Sequence, residues 1–113
     1  MEQIIKNIEL SKAIDLKSLV AYQDGQVVSR TLAQGKPINI TLFAFAKDEE
    51  ISSHASEGDA MVQILDGTAE ITIGTEKFIV NEGETIVMPA NVPHALLAKK
   101  PFKMILTVVF PLT

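Results

Sequence analysis

The chain has 113 residues, a net charge of −4 and no cysteine. This length suits one domain and is too short for two. The acidic balance and the lack of a basic stripe exclude the usual nucleic-acid-binding proteins. The missing cysteines exclude disulfides, thiolate metal sites and cysteine nucleophiles.

The first residues of the chain lack the apolar core of a secretory signal, and no apolar run is long enough to span a membrane. Hydrophobic residues make up 47% of the chain, which is typical of a globular protein. We therefore expect a cytoplasmic protein without a nucleic-acid or membrane partner.

The N-terminal third of the chain has a mixed pattern, and residues 1–19 fit either a strand or a helical turn. Asp24-Gly25 is a tight-turn dipeptide, so we expect a hairpin of Leu19–Tyr22 with Gln26–Leu32. Apolar residues around Val20 and Val28 exceed what one small core needs. We therefore expect N-terminal strands, within about residues 1–34, to lie in a homodimer interface, which would also cover a sheet edge.

From residue 38 onward, short apolar runs alternate with turns. Asp66-Gly67 is the strongest hairpin signal, because glycine at its second position tolerates a positive φ. Short strands at close intervals predict an all-β sandwich or barrel in a single domain. The predicted strands cover residues 38–46, 52–56, 60–65, 68–73, 77–80, 85–88, 94–98 and 102–110.

The two histidines of the chain, His54 and His94, each stand in a turn-rich segment beside a predicted strand. Ser56 follows His54 by two residues, and side chains two apart on a strand share a face. The imidazoles fit three roles: buried groups satisfied by hydrogen bonds or water, metal ligands, or polar groups in a pocket for an organic molecule. The residues alone leave all three open.

These two segments resemble the paired motifs of the cupin superfamily. The first motif, G-x5-H-x-H-x3,4-E-x6-G, is matched here by Asp48-x5-His54-x-Ser56-x3-Ala60-x6-Gly67. The second, G-x5-P-x-G-x2-H-x3-N, is matched by Gly83-x5-Pro89-x-Asn91-x2-His94-x3-Ala98. All spacings agree. Asp48 replaces a family glycine, so we expect a differently shaped turn there.

The resemblance implies an antiparallel double-stranded β-helix, the jelly-roll barrel of small conserved-barrel cupins. Its core barrel would span about residues 38–110 of a single 1–113 domain, and such proteins are commonly dimeric. The resemblance also implies a metal held by three histidines and one carboxylate or amide. Here Ser56 stands at the second histidine position and Ala60 at the carboxylate position, so two of the four ligands are missing.

We therefore predict a cupin barrel that binds a small organic ligand through His54, Ser56 and His94, with no cofactor beyond a weakly bound divalent metal. The alternative is a metal-dependent dioxygenase, isomerase or decarboxylase with His54 and His94 as ligands and Asp59 as a third. Whether any reaction is catalysed stays open. A metal-free epimerase would need a tyrosine acid, and the single tyrosine, Tyr22, lies outside both motifs. A purely structural role is a further alternative.

Overall fold

The computed structural model of the chain describes residues 4–112. Within them, one 3-10 turn at Leu16–Leu19 precedes eight antiparallel strands, and no α-helix is present. The all-β prediction is confirmed. The strands are β1 Val27–Gln34, β2 Ile38–Phe45, β3 Glu50–His54, β4 Asp59–Ile73, β5 Glu76–Asn81, β6 Thr85–Met88, β7 His94–Leu97 and β8 Phe102–Val109.

The long strand β4 belongs to both walls of the barrel. Its first half pairs with β8 and β6, and β8 continues through β2 to β1. Its second half pairs with β5 and with β7, and β7 continues to β3. Alternate side chains of the paired strands point into the space between the walls. They form the main core, in which Phe45 and Phe102 stack with ring centroids 4.4 Å apart.

The predicted hairpin at Asp66-Gly67 is wrong, because β4 runs through this dipeptide without reversing. The register against β8 shifts between Ile64 and Asp66, so one extra residue is accommodated there. Such a bulge bends a strand and increases its twist, which lets β4 pass from one wall to the other. Gly67 has φ +75°, and a Cβ at this position would collide with the carbonyl oxygen of Pro101. The glycine signal therefore marks a corner of the barrel.

The predicted hairpin of Leu19–Tyr22 with Gln26–Leu32 is also wrong. The turn at Asp24-Gly25 exists, with the amide of Gln26 donating to the carbonyl of Gln23 at 3.1 Å, but its first arm is not a strand. β1 pairs instead with β2. The first arm packs on the outside of the sheet, where apolar contacts hold it.

The N-terminal segment, residues 4–26, covers part of the outer face of the wall that contains β1, β2 and β8. Val20 is buried there in a second apolar cluster with Leu42 and Ala44, and Val28 packs against it. Val20 and Val28 are thus covered by their own chain, so a partner is not needed to bury them, whereas Ile4 and Leu10 are exposed. The homodimer stays a prediction. Residues 1–3 of the predicted N-terminal strands lie outside the described residues.

No helix within residues 4–112 has the length and apolar character needed to cross a membrane.

Candidate functional site

A bulge in β3 aims His54 at the barrel interior. Ile51 pairs with Leu96 and His54 pairs with His94, so three steps on β3 match two steps on β7. Without the extra residue, strand alternation would place His54 and Ile51 on opposite faces of β3. The carbonyl of Ser52, inside this bulge, lies 2.9 Å from Nδ1 of His54.

A braced loop delivers His94, the first residue of β7. The amide of Asn91 donates to the carbonyl of Ser56 at 2.7 Å, and the amide of Ala90 donates to Oδ1 of Asp59 at 2.8 Å. At the end of the loop, the amide of Gly74 donates to the carbonyl of Pro93 at 2.8 Å. These bonds join the loop to the segment that follows His54 and to the end of β4, so the position of His94 is fixed before any ligand binds.

Asp48 and Asn91 stand where the two motifs carry glycine, and both adopt a positive φ, 71° and 65° respectively. Asp and Asn are the non-glycine residues that tolerate this conformation best. Asp48 therefore keeps a backbone conformation for which glycine is normally selected, and this conformation gives no sign of the reshaped turn that we expected.

The two imidazoles converge, as the motif spacing predicted. Nε2 of His54 lies 3.1 Å from Nε2 of His94, and the rings meet edge to face with centroids 4.3 Å apart. His94 is buried, at 4% exposure, whereas His54 is exposed. The pair therefore lies where the barrel interior meets the solvent, and His54 is its outer member.

Backbone carbonyls favour the same tautomer in both rings. Nδ1 of each histidine faces the carbonyl oxygen two residues earlier, Ser52 for His54 and Val92 at 3.3 Å for His94. A carbonyl only accepts hydrogen bonds, so we assign the hydrogen to Nδ1 in both rings. Each neutral ring then has a lone pair on Nε2. The two lone pairs face each other, and a proton between them or a hydrogen-bond donor beside both would relieve that opposition.

Burial, the neighbouring His54 ring and the carbonyl of Val92 act on the pKa of His94. Burial is the largest influence and lowers it, the charge of His54 lowers it further, and the Val92 carbonyl raises it less. His94 therefore stays neutral at pH values below the ordinary pKa of a histidine. A positive charge on the pair is better solvated on exposed His54 than on His94.

The two remaining motif positions, Ser56 and Ala60, add no ligand to the pair. β3 ends at His54, so Ser56 lies beyond the strand, and its Oγ accepts a hydrogen bond from the amide of Gly58 at 3.1 Å. It is half-buried and has no recorded bond to either imidazole within residues 4–112. Ala60 is buried in the main core and pairs with Met88. The shared-face prediction for Ser56 assumed a strand over residues 52–56, and that assumption is wrong because β3 ends at His54.

Asp59 holds the loop and does not face the histidines. It is the first residue of β4, opposite in orientation to inward-facing Ala60, and its Oδ1 accepts from Ala90. Among residues 4–112 no cluster of three or more metal-ligating side chains is present. The two imidazoles supply half of a four-ligand site. The Ser56 hydroxyl already accepts a hydrogen bond from Gly58, and Ala60 has no ligand atom, so neither completes the site. The residues present do not fit the metal centre that the family pattern implies.

Glu70, the other buried ionisable residue among those described, belongs to a separate cluster of ion pairs on the outer face of β4. Lys77 Nζ lies 2.7 Å from one of its carboxylate oxygens and Lys99 Nζ 3.0 Å from the other. Hydrogen bonding to Lys77 and then to Lys99 lowers the pKa of Glu70 below its ordinary value. Glu70 is therefore kept ionised by the two lysines, away from the histidine pair.

Sequence reasoning missed the bulge at Ser52 and the bracing role of Asp59. In both histidines Nδ1 faces the carbonyl oxygen two residues earlier, and this shared contact is visible only in the folded backbone. No side-chain pattern in the sequence encodes a bulge in this short, mostly polar strand.

Comparisons with known proteins agree with this architecture. The family model for the cupin domain matches residues 41–110. A conserved protein of unknown function from Streptococcus pyogenes is 50% identical, with a TM-score of 0.96 over 99% of this chain and 98% of that one. A cupin superfamily protein from Desulfitobacterium hafniense is 33% identical, with a TM-score of 0.90 over 95% and 98%.

A cupin 2 conserved barrel domain protein from Leptotrichia buccalis is 38% identical, with a TM-score of 0.83 over 85% of this chain and 47% of that chain. A search of functionally curated proteins found no match. The matched model covers most of the chain, and the full-length similarity extends to the N-terminal segment. The chain therefore belongs to the cupin family.

Proposed function

We propose that this cupin binds a small organic molecule at the histidine pair, without a complete metal site. The observation that carries the proposal is the 3.1 Å approach of the two Nε2 atoms while both Nδ1 atoms are engaged by carbonyls. Two acceptors fixed in this way are suited to share one hydrogen-bond donor. Exposed His54 gives a ligand access, and buried His94 is the less solvated acceptor of the two.

The chemistry of the pair favours a ligand that carries an acidic O–H, such as a small carboxylic acid or a phenol. A phenol keeps its proton and donates it to an Nε2 atom, whereas a carboxylic acid is a carboxylate at neutral pH and binds together with one proton from solvent, which makes one imidazole a cation. The resulting charge-assisted hydrogen bond is stronger than a neutral one. Because charge is better solvated on His54, we expect the proton to reside there.

A titration of metal-free protein with benzoic acid and with phenol tests this proposal. The protein has two histidines, so their imidazole C–H resonances can be assigned from His54→Gln and His94→Gln. We expect saturable shifts of both rings, and their loss on either substitution. Lys12→Gln, on an exposed part of the N-terminal segment, is the matched control. Shifts that do not saturate, or that survive both substitutions, would reject the barrel site.

A metal-dependent cupin enzyme is the second candidate, and one distance favours it. Two nitrogens bound to one tetrahedral zinc at about 2.05 Å would lie about 3.3 Å apart, close to the separation of the two Nε2 atoms. The missing third and fourth ligands count against it. Elemental analysis of protein purified without a histidine tag decides between the candidates. One metal per chain that resists chelation would favour the enzyme.

We also propose a homodimer, based on an apolar strip on the outer face of the wall that contains β4, β6 and β8. Val109 pairs with Ile38, and Met61 pairs with Val87. Ala60 and Val62 point inward, so Met61 and its partner point outward. Ile38, Val87 and Val109 are 40%, 50% and 51% exposed. A second copy would cover this strip, which the N-terminal segment leaves open.

A further inference from the structure

Arg30, the single arginine of the chain, lies on the outer face of β1 with most of its hydrogen-bonding capacity unused. It pairs with Leu42 and points, like Val28, towards the second apolar cluster. Its Nη1 donates to the carbonyl of Asn7 at 2.9 Å. Within residues 4–112 this is the one recorded acceptor, and no carboxylate oxygen lies within 4.0 Å. A guanidinium has five N–H donors, so most remain available to a ligand.

Two clefts meet at Arg30 and share Leu19 as a wall. The first, about 360 Å³, runs between residues 18–21 and residues 28–30. The second, about 330 Å³, runs beneath residues 7–9 and includes Glu9, which lies 3.4 Å from Lys12. Both volumes fall within the range of small-molecule pockets. Because the Glu9 carboxylate would repel an anion, the first cleft is the better anion site.

Tethering the N-terminal segment does not account for the position of Arg30. The amide of Lys6 already donates to the carbonyl of Leu32 at 2.8 Å, and Nδ2 of Asn7 donates to the carbonyl of Thr31 at 2.7 Å. These two bonds hold the segment along the edge of β1. A half-buried guanidinium beside a cleft with both polar and apolar walls can recognise a planar carboxylate attached to an apolar body.

We propose that the first cleft binds a small amphipathic carboxylate. The carboxylate accepts hydrogen bonds from the free donors of Arg30, and the apolar body of the ligand lies along Leu19, Val20 and Val28. This site lies on the outside of the barrel and is independent of the histidine pair.

Isothermal titration of the protein with sodium hexanoate tests the site. The titration uses the His54→Gln/His94→Gln variant, so that an acid bound in the barrel does not contribute. We expect a dissociation constant around 1 mM, which is reasonable for a ligand of this size. Arg30→Gln should weaken binding at least about tenfold, and Arg30→Lys less, because lysine keeps the charge but loses the planar fork.

Glu9→Gln serves as the matched control, and inorganic phosphate is the second probe. Equal hexanoate affinity in the Glu9→Gln variant supports the first cleft over the second, whereas a gain of tenfold or more would place the anion beside Glu9 and overturn the assignment. Phosphate binding as tight as that of hexanoate would overturn the amphipathic specificity. Methyl resonances of Val28 that do not move on addition of hexanoate would overturn the site even if Arg30→Gln is poorly folded.

Discussion

Acidification from about pH 7.5 to about pH 5.5 is expected to destabilise the folded chain through His94. Burial lowers the pKa of this ring below its ordinary value of 6.5. As the pH falls, the unfolded chain binds the proton first, so the stability that His94 contributes is complete above about pH 6.5 and is lost below it. Glu70 has an ordinary value of 4.5, lowered further in the fold, and stays ionised over this interval.

The size of the effect has an upper limit. If His94 stayed fully neutral in the folded state, the loss over these two pH units would be about 1.4 kcal/mol. Solvent at the His54 side screens the ring, so we expect about half of this, roughly 0.7 kcal/mol. With about 2.1 cal/mol/K of unfolding entropy per residue, that corresponds to a fall in Tm of about 3 °C.

Thermal unfolding followed by circular dichroism at both pH values measures this loss. The His94→Gln variant should lack the His94 component of the shift. His54→Gln should keep most of it, because burial is the largest cause and the charge of His54 is secondary. An equal pH dependence in His94→Gln and the unaltered chain would refute the reasoning, since the buried ring would then make no contribution.

Three further predictions concern the corner, the missing ligands and the exposed strip. Gly67→Ala should lower the free energy of unfolding by more than about 2 kcal/mol in urea denaturation, because strain at positive φ adds to a backbone collision. Gly25→Ala, at φ +72° with open space around it, should lower it by only about 1 kcal/mol. Equal losses in the two variants would contradict the collision at Gly67. The double substitution Ser56→His with Ala60→Glu should raise zinc affinity at least about 100-fold in a competition titration, since a glutamate in place of inward-facing Ala60 can supply a ligand even if the new histidine cannot. An unchanged affinity would contradict a half-built site. Val109→Lys should convert a dimer to a monomer in sedimentation, and a wild-type mass of 12.3 kDa at micromolar concentration would contradict the dimer.

The strands that form the barrel were predictable because their apolar periodicity is local. Thr85–Met88 was predicted with the bounds that the structure has, and the final strand was predicted to within one residue of Phe102–Val109. The convergence of His54 and His94 was predictable only through the motif resemblance. Apolar patterns along the strands do not determine which strands pair or in which register they pair.

The errors lie where tertiary pairing overrides a local signal. A glycine at positive φ serves both a hairpin and a bulge, and only the pairing of β4 with β8 decided for a bulge at Asp66-Gly67. The assignment of Ser56 to a strand depended on where β3 ends, and its pairing with β7 stops at His54. The role of Asp59 depended on the loop amide of Ala90, which is distant in sequence.

The imidazole nitrogen spectrum of 15N-labelled protein, recorded before and after treatment with EDTA, tests the central claim most directly. The chain contains two histidines, so four ring nitrogens report on the whole site. At neutral pH we predict that both rings are protonated at Nδ1, carry a lone pair at Nε2 and are unchanged by EDTA. Rings protonated at Nε2, or Nε2 resonances that move when EDTA removes a metal, would contradict an organic-ligand site built on this pair.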